Sequence, residues 1–183
     1  SLLYRYAYGA WENQWTLLDL TTSFGRVVSD QRLRLRFYQA PEPREALAQD
    51  SLGLAQHPWY PEFMAGLRAV AVDGTARGLR ASWIDEGLPR SLLAKTGTLN
   101  EPGEATPTDD LYAKSLLFAV GESSGAPGAP LGCGLVGGLY LRFKKGPDSG
   151  NLPSYQVEFA RDRLGAFLRD YWDDFGACVQ DGG

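Results

Sequence analysis

Ser91-Leu92-Leu93-Ala94-Lys95-Thr96-Gly97-Thr98-Leu99, continued by Asn100-Glu101, is the stretch on which the reading of this chain turns. An apolar run leads into a cation, a hydroxyl and a glycine, a composition that fits a strand able to hold an anionic group. Lys95 offers positive charge and Thr96 a hydroxyl. Gly97 has no side chain to keep a ligand off the backbone. Taken alone, a lysine in a strand is also an ordinary edge residue that discourages aggregation, so the neighbouring sequence has to decide between the two.

Downstream, the pattern stays extended. Asn100 to Asp110 carries two prolines, a glycine and several acids and reads as a loop; Leu111 to Val120 is a second strand. Glu122 to Gly132, rich in Gly, Pro, Ala and Ser, leads to a third strand over Cys133 to Lys144. Three strands in series predict antiparallel pairing, since parallel neighbours need long crossovers. Lys145 to Pro153 reads as another loop. A terminal helix is predicted from Ser154 to Phe175, with Val157, Ala160, Leu164, Phe167 or Leu168 and Tyr171 on one face. Glu158, Arg161, Asp162, Arg163 and Arg169 fall mostly on the other, and the helix would cover one face of the sheet.

Upstream, residues 1–89 read as mostly helical. Leu17, Leu20, Phe24 and Val27 predict a helix from Glu12 to Asp30, with Asn13 or Thr16 as its cap. Leu33 to Tyr38 looks extended, Pro41 and Pro43 break it, and Arg44 to Leu54 forms a short helix or loop. His57-Pro58-Trp59-Tyr60-Pro61 leads into a second helix whose apolar face is Phe63, Met64, Leu67, Val70 and Ala71. Pro61 suits its first turn and Gly74 its end. The fold class is α+β: helices, then an antiparallel sheet over residues 90–145, then a helix over 154–175, in one domain spanning 1–183.

Composition narrows the functions. The chain has 183 residues, 44% hydrophobic and 12% aromatic, enough for a real core. Its net charge of −4 and pI near 5.0 argue against nucleic acid as a partner, which calls for a basic patch. Arg32-Leu33-Arg34-Leu35-Arg36 alternates as a strand with one solvated face does. No run approaches the roughly 18 apolar residues of a membrane span. No signal peptide is visible, and the start at Ser1 without a methionine reads as a processed or truncated piece. Cys133 and Cys178, with His57 the sole histidine, fit no common zinc site. They could form a disulfide in an oxidising compartment or be two buried thiols.

Three further patterns have ordinary explanations. Gly132-Cys133-Gly134-Leu135-Val136-Gly137 spells a dinucleotide fingerprint, but it follows a loop and runs into a strand instead of opening a helix. It reads as a glycine-rich strand closely approached by a neighbour. Asp109-Asp110 and Asp173-Asp174 read as solvated surface. His57, among prolines and aromatics with no acid nearby in sequence, reads as a loop residue and not a catalytic base.

Three matches give the Lys95 strand its context. Met64 to Val72 leads through Asp73 into Gly74-Thr75-Ala76, about twenty residues before Lys95-Thr96-Gly97. Tyr8-Gly9 is followed by Trp15-Thr16-Leu17-Leu18-Asp19-Leu20. Two strands and a long amphipathic helix follow the lysine strand. Together these resemble the penicillin-binding transpeptidases and their relatives, the serine β-lactamases. In those, a helix ends in Gly-Thr-Ala shortly before a Lys-Thr-Gly strand, and a Thr-Pro-Leu-x-Leu-Ala helix start follows a glycine. Leu17 stands where the family usually has proline. The resemblance runs from about Tyr8 to Phe175 and is most specific over residues 63–101.

The resemblance implies a β-lactamase/transpeptidase-like fold and acyl transfer through a serine ester, without metal or organic cofactor. Substrates would be peptidoglycan stem peptides, with β-lactams as mimics. Lys95 would place positive charge near the nucleophile and the substrate carboxylate. Thr96 would hydrogen-bond that carboxylate, Gly97 would let the acyl donor lie along the strand, and the Thr98 N–H would be one oxyanion-hole donor. Such domains work on the outer, periplasmic side of the cytoplasmic membrane, tethered by an N-terminal anchor. The nucleophilic Ser-x-x-Lys is missing here. Ser91 precedes Lys95 by four positions, and the only Ser-x-Asn, Ser149-Gly150-Asn151, comes after Lys-Thr-Gly where the family has it before. The expectation is therefore a C-terminal portion, inert alone, completed by an N-terminal segment or chain that also supplies the strand next to Cys133–Lys144. A non-catalytic scaffold module of the same ancestry and an unrelated α+β interaction domain are the competing readings.

Overall fold

A computed structural model describes residues 16–33, 50–85, 91–101, 111–123, 126, 128–144 and 156–163. Helix α1 spans Leu17–Ser29. Thr16 is its cap, and Asn13, the other candidate, lies outside the described residues. The Thr16 hydroxyl accepts from the Asp19 N–H at 3.1 Å, while the Asp19 carboxylate accepts from the Thr16 N–H at 3.0 Å. This reciprocal box satisfies two N–H groups that a helix start leaves without partners. Asp30 ends the helix in a left-handed conformation, φ 54° and ψ 32°, which Asp tolerates better than most residues. Its carboxylate accepts from the Ser51 hydroxyl at 2.9 Å and the Leu54 N–H at 2.7 Å. An isolated bridge between Gln31 and Ser51 and a short 3₁₀ turn, Leu54–Gln56, lead to the second helix. Of the predicted Leu33–Tyr38 strand and Arg44–Leu54 segment, residues 34–49 lie outside the described residues.

Helix α2 spans Tyr60–Val72, with Pro61 in its first turn. Tyr60, Met64, Leu67 and Ala71 are buried at helical spacing. Phe63, expected on that face, is 41% exposed. It lies one position round the helix and four residues beyond Trp59, whose ring it meets edge-on at 6.0 Å. Gly74 does follow the helix end, for a reason of space: a Cβ there would lie 2.7 Å from the Val70 Cα. A third helix, α3, Arg77–Asp85, was not expected. Among its described side chains Leu79 and Trp83 are buried, and its sequence shows no clear helical period.

Strands β1 (Ser91–Glu101), β2 (Leu111–Ser123) and β3 (Leu131–Lys144) form one antiparallel sheet in the order β1-β2-β3. Each extends two or three residues beyond its predicted bounds. The register pairs Lys95 with Leu117, Thr96 with Leu116, Gly97 with Ser115 and Thr98 with Lys114. The glycine-rich Gly132–Gly137 lies within β3, so it opens no helix. The fold is thus α+β, an antiparallel sheet with helices on both faces. One face carries Ala94, Leu116, Phe118 and Val120 against Leu79 and Trp83 of α3 and Val157 and Ala160. The other carries Leu93, Ala119 and Leu131 against Phe24 and Val28 of α1 and Tyr60, Met64 and Leu67 of α2. Strand alternation produces both cores from the same three strands.

Residues 156–163 are helical. Val157 and Ala160 are buried, while Glu158, Arg161, Asp162 and Arg163 are exposed. The rest of the predicted Ser154–Phe175 helix lies outside the described residues. So do Asp109-Asp110, Asp173-Asp174, Ser149-Gly150-Asn151 and Cys178. Among the described residues no strand pairs with the outer edge of β1 or of β3, and no helix is long and apolar enough to cross a membrane.

Candidate functional site

Alternation along β1 sets which way its polar residues face. Lys95 and Gly97 fall on the side of Leu93, Thr96 and Thr98 on the side of Ala94. Lys95 is exposed, and its ammonium donates to the carbonyl of Thr96. Thr96 and Gly97 are half-buried and Thr98 is exposed. All four sit on a strand at the edge of the described sheet.

The turn between α2 and α3 carries Gly74-Thr75-Ala76. It is tied down by the Gly74 N–H donating to the Ala69 carbonyl at 2.9 Å and the Ala76 N–H to the Val70 carbonyl at 3.0 Å. Ala76 is fully buried. Thr75, between these anchors, is exposed and places its hydroxyl 2.7 Å from that of Thr96. The two short motifs separated in sequence therefore meet through a single hydroxyl pair. Both motifs are visible in the sequence; the contact between them is set by the fold.

Two residues of β2 stand opposite this stretch without a sequence pattern that links them to it. Ser115 stands opposite Gly97. Lys114, opposite Thr98, is only 7% exposed. Burial pushes its ammonium below the usual lysine range, and the Glu158 carboxylate acts the other way. A lysine inside the run Leu111–Val120 was the available signal, but its inward position is set by the register. Thr96 and Thr98 place two hydroxyls on one face of β1 and Lys95 a cation on the other, groups of the kind that recognise a carboxylate.

His57 lies at the end of the 3₁₀ turn, exposed, with its ring stacked on Trp59 at 5.9 Å. Among the described residues no cluster of His, Cys, Asp and Glu is arranged to hold a metal ion. No family model matches the chain, and neither a curated protein nor a solved structure does.

Proposed function

We propose that this chain is the C-terminal part of a penicillin-binding serine DD-transpeptidase domain of β-lactamase-like fold, acting in peptidoglycan cross-linking on the outer side of the cytoplasmic membrane. The observation that carries the reading is the 2.7 Å contact between Thr75 and Thr96. It joins Gly74-Thr75-Ala76 to Lys95-Thr96-Gly97 on an edge strand, a relation that chance tripeptides have no reason to show.

In this reading the edge of β1 receives the stem peptide as an added strand. The Thr96 hydroxyl donates to its carboxylate, and Lys95 contributes positive charge near the nucleophile and the carboxylate. Gly97 keeps the strand clear for the acyl donor, and the Thr98 N–H stabilises the oxyanion of the tetrahedral intermediate. The serine that forms the acyl-enzyme comes from a complementary upstream segment, which also pairs with the open edge of β3.

Covalent labelling with a fluorescent penicillin, read by intact mass, tests the proposal on this chain and on the full-length product of its gene. The expected result is labelling of the full-length protein only, lost on Lys95→Ala. Labelling of neither overturns acyl transfer and favours the non-catalytic envelope module. Labelling of this chain alone overturns the assignment of the nucleophile to another segment.

A further inference from the structure

We infer that Thr75 is a positioning residue for anion binding: its hydroxyl holds the Thr96 hydroxyl in the orientation that donates to a carboxylate. The inference rests on reading Lys95-Thr96-Gly97 as a carboxylate-binding wall, and adds to it a residue from a different element.

A threonine hydroxyl has one proton to donate and lone pairs to accept with. On an exposed strand that proton turns freely between water and nearby carbonyls. Thr96 differs, because the Thr75 hydroxyl stands at 2.7 Å, the usual O–H···O distance. Only one proton can lie between the two oxygens. If Thr96 donates to Thr75, it has no proton left for a ligand. If Thr75 donates to Thr96, the Thr96 proton points outward. An anion that accepts from the Thr96 hydroxyl selects the second arrangement. The two hydroxyls and the carboxylate then form a chain in which each bond polarises the next.

The fold holds Thr75 in place for this. A Cβ at position 74 would meet the Val70 backbone at 2.7 Å, so the turn packs directly on the end of α2. Ala76 is fully buried on the far side. The β-branched side chain between them is stiff about χ1, so the hydroxyl is presented with little freedom to lose. Thr75 itself is exposed and belongs to neither core cluster. Nothing in the packing requires a hydroxyl there.

Thr75→Val replaces the hydroxyl by a methyl group of similar size, and Thr75→Ser keeps the hydroxyl. The probe is N-acetyl-D-alanyl-D-alanine, titrated into the 183-residue chain and followed by the amide NMR shifts of Thr96 and Gly97. Its C-terminal amide serves as the uncharged control. Thr75→Val should weaken binding of the free acid about fivefold to tenfold, the usual worth of one hydrogen bond. Thr75→Ser should bind nearly as wild type does, and the amide should be insensitive to either change. Unchanged binding in Thr75→Val, or no binding of the acid by the wild-type chain, overturns the inference. Penicillin labelling of the full-length protein is read separately. Absent labelling with Thr75-dependent acid binding sinks the acyl-transfer reading and leaves this one standing. Labelling together with Thr75-independent binding does the reverse.

Discussion

Gly97 lies directly across the β1–β2 ladder from Ser115, and a Cβ at residue 97 would come within 2.5 Å of the Ser115 hydroxyl oxygen. The obstacle is the end of a small rotatable side chain. Its own Cβ, at 3.9 Å, is in ordinary contact range. Gly97→Ala should therefore fold, with Ser115 forced into another rotamer, at a cost of about 1 kcal/mol. Adding Ser115→Ala should remove most of that cost. Urea unfolding of the two single variants and the double variant gives the coupling. Strictly additive effects would mean that the glycine is not set by Ser115. If the double variant recovers stability but not ligand binding, the bare backbone at residue 97 is needed by the ligand itself.

Gly134 and Gly137 are a harsher case. A Cβ at Gly134 would lie 2.3 Å from the Val120 carbonyl oxygen and 2.8 Å from the Gly121 Cα. Those are backbone atoms of the paired strand, with no rotamer to escape to. At Gly137 the Cβ would press on the Phe118 ring at 2.2 Å, and that ring is already edge-on to Trp83, 5.4 Å away. Gly134→Ala and Gly137→Ala should each cost at least the upper part of the about 1–3 kcal/mol typical of overpacking. Both should exceed Gly97→Ala in the same unfolding assay. Equal melting temperatures for all three would contradict the close β2–β3 approach. The same crowding explains why the glycine-rich run in β3 is structural.

The sheet was legible because Ser91–Leu99, Leu111–Val120 and the following strand are bounded by clusters of Gly, Pro and acids, which interrupt both helix and strand. Met64, Leu67 and Ala71 were legible because i, i+3 and i+7 repeat over two turns. Helix α3 had no such repeat; Leu79 and Trp83 acquire meaning only from the sheet face they cover. Phe63 misled because an apolar residue one step from a buried line belongs equally to an exposed aromatic neighbourhood. At the candidate site, Lys95, Thr96, Gly97 and Thr98 stand together in sequence and could be named outright. Thr75 and Lys114 could not be linked to them. One meets Thr96 across a turn, and the other is aligned with Thr98 by pairing, relations that no local pattern encodes.

Thr16 and Asp19 provide a test of the α1 start. Their hydrogen bonds hold the Asp19 carboxyl below its usual value of 3.8, chiefly through the Thr16 side chain and then the Thr16 backbone N–H. A depressed carboxylate stabilises the fold above its unfolded value, and that part is lost as pH falls through the folded value. Thr16→Ala should cost about 1 kcal/mol at neutral pH, the usual worth of a helix cap. The gap between wild type and variant should narrow in denaturant titrations below pH 4, where Asp19 becomes protonated in both states. A gap that stays constant down to pH 2 would show that the carboxylate takes no part in the cap.

Tyr60 ties α2 to the end of α1, and its chemistry allows a sharper test at the other end of the pH scale. The side chain is fully buried, and its hydroxyl donates to the Val27 carbonyl at 2.7 Å. Burial, and secondarily the negative charge of Asp30, push the phenol up from 10.0 to about 12. A raised value means that the folded state holds the proton more tightly than the unfolded chain does. The resulting stability is fully present below pH 10 and is lost as pH rises towards 12, because the unfolded chain ionises first. Tyr60→Phe should cost about 1 kcal/mol at neutral pH for the missing hydrogen bond. It should also remove the share of the alkaline destabilisation that belongs to this residue, so that the variant's stability falls less steeply over that window. Phenolate absorbance of the folded protein should show one tyrosine fewer titrating near pH 10 than the denatured chain does. If Tyr60→Phe leaves the alkaline slope unchanged, the hydroxyl is open to water, and the α1–α2 packing around it is looser than the 2.7 Å bond to Val27 implies.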